Sequence, residues 1–288
     1  MAERASALDR VLTQAGGPEI LDILAERLSG ADLTTLLLEV MRRRSRALSP
    51  ADVLRRYGRD RFVAPGQIPF ARLRQAEDAV LSAVPPGVEL ITLSPVAPIG
   101  THSALGTVDQ NKVVSTIRNS EVAADPTNAL ALEAALRRRN TPAEPVRLAT
   151  VQRVVRAQHV AGAATYAHFT LFALVSAGRD TGDLAFERQH AAEHLAVLTA
   201  AVRACGVAEP EVKVTVLDER FERVAAELGA ARDPDRKDGR GYYTGLCFKI
   251  YGKGLEVGDG GFVDWTAGLL GNRKERLLIS ALGIDRLS

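Results

Sequence analysis

The sequence predicts an α+β fold: an antiparallel sheet flanked by helices, preceded by an N-terminal helical region. Three observations lead there. Pro145 to Asp180 contains two β-prone runs on either side of the small-residue segment AGAAT, the pattern of an antiparallel hairpin. Helical and strand-like segments succeed one another mostly out of βαβ order. The first 66 residues carry only helical spacing.

In that N-terminal region Ile20, Leu21, Leu24 and Leu28 keep helical spacing up to Gly30, and Leu33 to Met41 is a leucine-dense second run. Ser49-Pro50-Ala51-Asp52 reads as a helix start, with serine as cap, proline at the first position and an acid three residues after the cap. Between Arg42 and Arg61 stand eight arginines against two aspartates, a local charge of +6. Such a run is either a solvated helix face or a surface for RNA or another polyanion. Val63-Ala64-Pro65-Gly66 marks a boundary, so the expected domains are 1–66 and 67–288.

The second domain opens with a helix from Ile68 to Val84, stopped by Pro85-Pro86-Gly87. Strands are expected at Val88 to Leu93 and Lys112 to Ile117, and Asp125-Pro126-Thr127 opens another helix. The hairpin follows. Its first strand alternates, placing Gln152, Arg156 and Gln158 on one face. Its second, His168 to Gly178, is nearly all apolar, as a strand covered on both faces should be. Burying an arginine and two amides costs on the order of several kcal/mol unless a ligand or a carboxylate pairs with them. Beyond lie a helix at Asp183 to Ala204, a strand at Lys213 to Leu217 and a helix at Glu219 to Leu228. An exposed polar loop is expected at Ala231 to Gly241 and a strand at Tyr242 to Tyr251. Gly258 to Gly261 should turn, with strands at Phe262 to Trp265 and Arg276 to Leu282.

Composition narrows the function classes. The 288 residues are 46% hydrophobic, enough for a substantial core, and the net charge of +2 does not by itself call for nucleic acid. Cys205 and Cys247 form no CxxC pair, so neither a disulfide framework nor a thiolate metal site is indicated. The N-terminus lacks the charged and apolar regions of a signal peptide, and no apolar run of membrane-spanning length occurs, so a cytoplasmic protein is expected. His190-Ala-Ala-Glu193-His194 matches a reversed zinc motif but lacks an evident third ligand; an ordinary amphipathic helix is the preferred reading, and no metal is expected.

Four stretches fall in an order that resembles the catalytic domain of class II aminoacyl-tRNA synthetases, most of all histidyl-tRNA synthetase, over roughly residues 67 to 288. Ile68 to Pro95 is similar to motif 1, the family's dimer interface. Val155-Arg156-Ala157-Gln158 is similar to the Phe-Arg-x-Glu of motif 2, and Gly283-Ile284-Asp285-Arg286 to the end of motif 3. Gly239 to Gly245 resembles the Arg-Gly-Leu-Asp-Tyr-Tyr-Thr-Gly segment of the histidyl enzyme, Gly260 to Asp264 its Gly-Gly-Arg-Tyr-Asp, and Asp125-Pro126-Thr127 its Pro-Glu-x-Thr.

The resemblance implies ATP, with Mg2+ if the site is catalytic, and assigns roles. Arg156 would hold the α-phosphate and the attacking carboxylate, which the fork of a guanidinium suits. Arg286 would hold the γ-phosphate, and Gln158 with Phe169 or Phe172 the adenine. Asp125, Thr127, Gln152, Tyr242, Tyr243 and Thr244 would line the substrate site. A structural ion pair remains the other reading of Arg156, and chain-end fraying that of Arg286.

The departures from the family are informative. The family's substrate-binding glutamine and glutamate on the second hairpin strand correspond to Leu171 and Val175, or to Leu174 and Gly178 in the other register. The arginine of Arg-Gly-Leu-Asp falls on Asp238, with Arg236 and Arg240 beside it. A cationic α-ammonium would lack partners in such a pocket, so histidine is not the expected substrate. The sequence stops on motif 3, without an anticodon-binding domain, which speaks against ordinary tRNA charging. Two functions stay open: ATP-dependent activation of a small carboxylic acid for a non-tRNA acceptor, or a non-catalytic subunit like the regulatory subunit of ATP phosphoribosyltransferase, which binds a protein partner. A homodimer is expected in either case.

Overall fold

The computed structural model describes residues 6–157, 166–239 and 241–288, which cluster into two units. One comprises residues up to Asp60 together with Ser115–Ser120; the other comprises Arg61–Val114 and Glu121–Ser288.

The first unit is helical: α1 (Ala7–Ala15), α2 (Glu19–Asp22) running into a π turn at Ile23–Arg27, α3 (Gly30–Arg46) and α4 (Pro50–Tyr57). Its helix starts are written locally. Ser6 and Ser49 each form a reciprocal capping box with the acid three residues on, Asp9 and Asp52, and Pro50 supplies the pre-set φ of the first turn. None of these helices buries a residue, and Leu36, Val40, Met41, Val53 and Leu54 are exposed. Part of the arginine run is neutralised within its own helices, Arg42 and Arg43 by Glu39 and Arg55 by Asp52.

The second unit is a sheet between helices. Its elements are α5 (Phe70–Ser82), β1 (Glu89–Leu90), β2 (Val96–Pro98), α6 (Thr101–Ala104), β3 (Ser120–Val122), α7 (Pro126–Asn140), β4 (Val146–Val155), β5 (His168–Arg179), α8 (Ala185–Ala204), β6 (Glu211–Val216), α9 (Glu222–Glu227), β7 (Ala231–Arg232), β8 (Thr244–Gly252), β9 (Leu255–Val263), α10 (Trp265–Leu270) and β10 (Glu275–Gly283). Eight strands form one sheet in the order β1-β4-β5-β10-β9-β8-β6-β7, and β2 pairs with β3. The inner pairings are antiparallel, while the two-residue edge strands β1 and β7 lie parallel to β4 and β6. The hairpin is central, in the register Val146↔Ala177 to Val155↔His168.

Side-chain alternation divides the core in two. Phe172, Leu174, Leu246, Phe248, Leu278 and Leu282 pack toward α5, α8 and α9. Leu148, Ala173, Val175, Leu277 and Ile279 pack with Leu130 and Ala134 of α7 and Trp265 of α10. Burial of each large side chain contributes roughly 1.5–3 kcal/mol. Between α7 and β10 lies a buried ion pair: Arg138 donates to both carboxylate oxygens of Glu275 at 2.9 Å, and Nη1 to Glu144 O at 2.5 Å.

Several expected elements change. Gly258 to Gly261 is not a turn but the middle of β9, hydrogen-bonded on both edges. The glycines there answer close packing: a Cβ on Gly258 would lie 2.5 Å from Ala281 O, and one on Gly260 2.6 Å from the Phe248 ring. Trp265 begins a helix and does not end a strand. In place of a strand at Lys112 to Ile117 there is a short 3-10 turn, Gln110–Lys112, capped by Asp109, and a single bridge residue, Ser115. The polar stretch Ala231 to Gly241 is not wholly exposed, because β7 pairs with β6 and Arg236 is buried. Among the described residues no helix is long and apolar enough to cross a membrane.

Candidate functional site

Two cavities, of ≈ 400 Å³ and ≈ 390 Å³, meet at the end of the hairpin, and both are lined by Asp125, Arg156 and Asp259. The alternating pattern of β4 ends at Val155. Arg156 therefore leaves the sheet and is not buried at its centre as expected; its side chain is 44% exposed, and exposure to a cavity is what a ligand-binding guanidinium requires. Nε donates to Ala124 O at 3.0 Å, Nη2 lies 3.4 Å from Asp125 Oδ2, and Cζ stands 5.1 Å from the Phe169 ring centroid.

The first cavity takes its walls from Phe169 and Leu171 of β5, Glu256 to Asp259 of β9, the chain end at Asp285 and Arg286, and the segment leading into α5. Arg286 sits on the 3-10 turn Ile284–Arg286 and donates Nη1 to Glu256 O at 2.5 Å, so it is anchored and does not fray. Asp285 is buried and accepts from Thr170 N at 2.6 Å. The leading segment is clasped twice. Arg61 Nη2 donates to Ala157 O at 2.5 Å, and His168 Nε2 donates to Ala64 O at 2.6 Å. His168 Nδ1 is left to accept from Arg153 Nε at 2.9 Å, which sets the tautomer. Arg61 thus brings a third guanidinium to this cavity beside Arg156 and Arg286.

The second cavity is lined by His102, Lys112, Asn128, Arg236, Asp238, Tyr242 and Tyr243 in addition to the shared residues. Asp125 caps α7: Oδ1 accepts from Thr127 N at 2.9 Å and Thr127 Oγ1 at 2.8 Å, leaving Oδ2 to Arg156. The loop before it is held by a buried pair, His102 Nδ1 to Glu121 Oε1 at 2.6 Å, and His102 Nε2 accepts from Ala124 N at 3.0 Å. Burial opposes charge on Glu121, yet donors from His102, Gln110 and Gly100 hold its carboxyl below the ordinary range. Burial pushes both phenols up, most directly for Tyr243, whose hydroxyl donates to Asp259 Oδ2 at 3.1 Å. Arg236 lies 5.6 Å from the Tyr243 ring centroid and donates to Asp238 O and Phe248 O.

The remaining expected site residues separate. Phe172 is fully buried in the core on the opposite face of β5, so of the two phenylalanines only Phe169 can meet a ligand; the strand's period of two decides this. Leu171 is the cavity-facing apolar residue, while Val175 lies in the core. Gln152 is buried and donates Nε2 to Ser94 O at 2.7 Å, away from both cavities. Thr127 is buried beneath Asp125, and Thr244, at the start of β8, donates to Phe262 O at 3.3 Å and lines neither cavity. Gln158 and Arg240 fall outside the described residues.

Sequence reasoning missed His102, Asn128, Glu256 and Asp259 as site residues. Arg236 had a signal, its proximity to the expected arginine position. Asp259 had only its place in a glycine run. His190 and His194 do not form a metal site: His190 Nδ1 contacts Glu193 at 3.0 Å, and His194 is buried between the hydroxyls of Ser176 and Ser280. Among the described residues no group of three or more His, Cys, Asp or Glu could hold a metal ion.

No family model matches the chain, and no curated protein matches it. Solved structures do. An ATP phosphoribosyltransferase regulatory subunit/histidyl-tRNA synthetase from Bacillus halodurans superposes with a TM-score of 0.62 at 16% identity, covering 78% of this chain and 81% of that one. A histidine–tRNA ligase subunit from Alicyclobacillus acidocaldarius gives 0.62 at 15% identity, covering 80% and 95%. Pyrrolysyl-tRNA synthetase from Desulfitobacterium hafniense gives 0.54 at 14% identity, covering 75% and 67%. The chain has the class II synthetase-like α+β fold.

Proposed function

We propose that this chain, on its class II synthetase-like fold, binds ATP in the first cavity and activates a small carboxylic acid in the second, for transfer to an acceptor other than tRNA. The observation that carries the reading is Arg156, the one guanidinium among the described residues that lines both cavities. In the reaction a carboxylate oxygen attacks the α-phosphorus of ATP. The bond from that phosphorus to the bridging oxygen breaks, pyrophosphate leaves, and an acyl-adenylate remains for the acceptor's nucleophile to open. Arg156 binds the α-phosphate and the carboxylate together. Such preorganised charge stabilisation, with positioning, is usually the largest catalytic contribution. Phe169 stacks the adenine, and Arg286 and Arg61 take the outer phosphates. Mg2+ would arrive on the phosphate oxygens, since no protein cage for it exists among the described residues.

Exposed apolar side chains on α5 and β1, Phe70 at 78% and Leu90, support a homodimer through those elements. A second reading, a non-catalytic subunit that binds a protein partner, draws on one observation: the cavity wall on β5 is Leu171, where a polar substrate-binding group would be useful. ATP–pyrophosphate exchange over a panel of amino and other carboxylic acids separates the two. Exchange with one acid, lost in Arg156→Ala, supports activation. No exchange with any acid, together with no ATP binding by calorimetry, leaves the subunit reading.

A further inference from the structure

The carboxylates of the first cavity are answered from within the protein, and two of its guanidinium groups are not. Asp125 meets Arg156 at 3.4 Å, Glu256 meets Lys249 at 2.8 Å, Asp259 meets Arg236 at 3.4 Å, and Asp285 lies 4.0 Å from Arg153. Among the described residues Arg61 and Arg286 have no carboxylate partner; what they hold is a backbone carbonyl, of Ala157 and of Glu256. Guanidinium groups that line one cavity repel one another, and an anion between them turns repulsion into attraction. The two differ in what carries them. Arg286 stands on the turn that ends β10. Arg61 stands on residues 61–67, a segment that is neither helix nor strand and in which no residue is buried. Arg61, Ala64, Pro65, Gly66 and Gln67 all line the cavity. Two clasps hold the segment there, Arg61 Nη2 to Ala157 O and His168 Nε2 to Ala64 O at 2.6 Å. A Cβ on Gly66 would lie 2.7 Å from Nη2 of Arg153, the side chain that holds His168, so glycine lets the backbone pass close to the second clasp.

We propose that residues 61–67 are a strap that closes over the first cavity when the phosphate chain of a bound nucleotide draws in Arg61, so that closure follows the number of phosphates. Arg156 is fixed by Ala124 O and Asp125, and Arg286 by its turn, so of these three guanidinium groups only Arg61 can withdraw together with its backbone. Without an anion, repulsion from the other two favours opening, and only the two clasps oppose it. Segments with few buried contacts are the first to open. A triphosphate reaches Arg61 and Arg286 together and holds the strap shut. Once pyrophosphate has left, the adenylate offers Arg61 no outer phosphate and the strap is released, so nucleotide entry and product exit run past the same segment. The inference rests on the proposed function in placing a nucleotide in this cavity.

The test is hydrogen exchange of the full chain, read by mass spectrometry on peptides covering residues 61–67 at labelling times of milliseconds to seconds. ATP, ADP and AMP are compared at concentrations that calorimetry shows to be saturating. ATP should slow exchange in this segment about tenfold or more relative to AMP or to the ligand-free chain, the scale of one hydrogen bond to a charged group, with ADP between. Arg61→Gln should flatten that order and weaken ATP about tenfold, while AMP keeps its affinity within about twofold. If Arg61→Gln does not fold, the wild-type order itself decides. ATP that binds yet protects residues 61–67 no better than AMP overturns the strap and leaves the activation reading standing, and so does an order that survives Arg61→Gln. A chain that binds none of the three nucleotides overturns both.

Discussion

Replacing Arg156, which follows β4, tests whether the site has been located. Arg156 is 44% exposed and, among the described residues, its ion pair is with Asp125 at 3.4 Å, so solvent screening limits that pair to about 0–1 kcal/mol. Its remaining contacts are one hydrogen bond to Ala124 O, typically about 1 kcal/mol net, and the face of Phe169, about 0.5–1 kcal/mol where exposed. Because these contributions are not additive and water replaces part of each, Arg156→Ala should lower unfolding free energy by about 1–2 kcal/mol. The same substitution should cut ATP–pyrophosphate exchange about 10²–10³-fold, the usual cost of removing one preorganised donor from a developing charge. Urea unfolding followed by the fluorescence of Trp265, the chain's single tryptophan, reports stability in the second unit, and radiolabelled pyrophosphate incorporation reports the reaction. Exchange that survives Arg156→Ala within a factor of three would refute the assignment, and so would a stability loss above about 3 kcal/mol, which would mark Arg156 as structural.

Glu275→Ala strands the buried Arg138 and should cost about 3–5 kcal/mol in the same urea assay, whereas Arg138→Met with Glu275→Leu should come close to wild type; equal damage from both would contradict the account. His194 is held neutral by burial, its pKa well below the ordinary value, so the unfolded chain binds the extra proton first. Stability should be complete above about pH 6.5 and fall by on the order of 1 kcal/mol per pH unit beneath it, a slope that His194→Gln should reduce; an unchanged slope would remove His194 as its source. Phe70→Glu should convert a dimer to a monomer in sedimentation at micromolar concentration, and a monomeric wild type would remove α5 as an interface.

The parts of the fold that were legible are those that depend on short-range patterns. The hairpin was readable because period-two alternation and an apolar second run span few residues. The start of α4 was readable because Ser49, Pro50 and Asp52 satisfy each other across a single turn. The β9 strand was misread because glycine signals both turns and crowding, and only the neighbours Ala281 and Phe248 tell which applies. The strand expected at Lys112 to Ile117 failed for a related reason: local β propensity yielded to the Asp109 cap and the turn it sets.

The site divides along the same line. The sequence by itself determined that the hairpin would carry Arg156, that Arg286 would follow the last strand, and that Leu171 and Val175 of β5 would be apolar. These depend on residue identity and parity along one strand. Only the tertiary structure decided that Phe169 and not Phe172 meets the cavity, that Arg236 turns inward from a polar loop, and that Asp259 and Asn128 converge with Asp125. Such convergence joins α7, β9, the loop before β8 and the residues after β4, segments separated by up to about half the chain. No local periodicity encodes it, because it is set by how the sheet orders its strands and which helix covers each face.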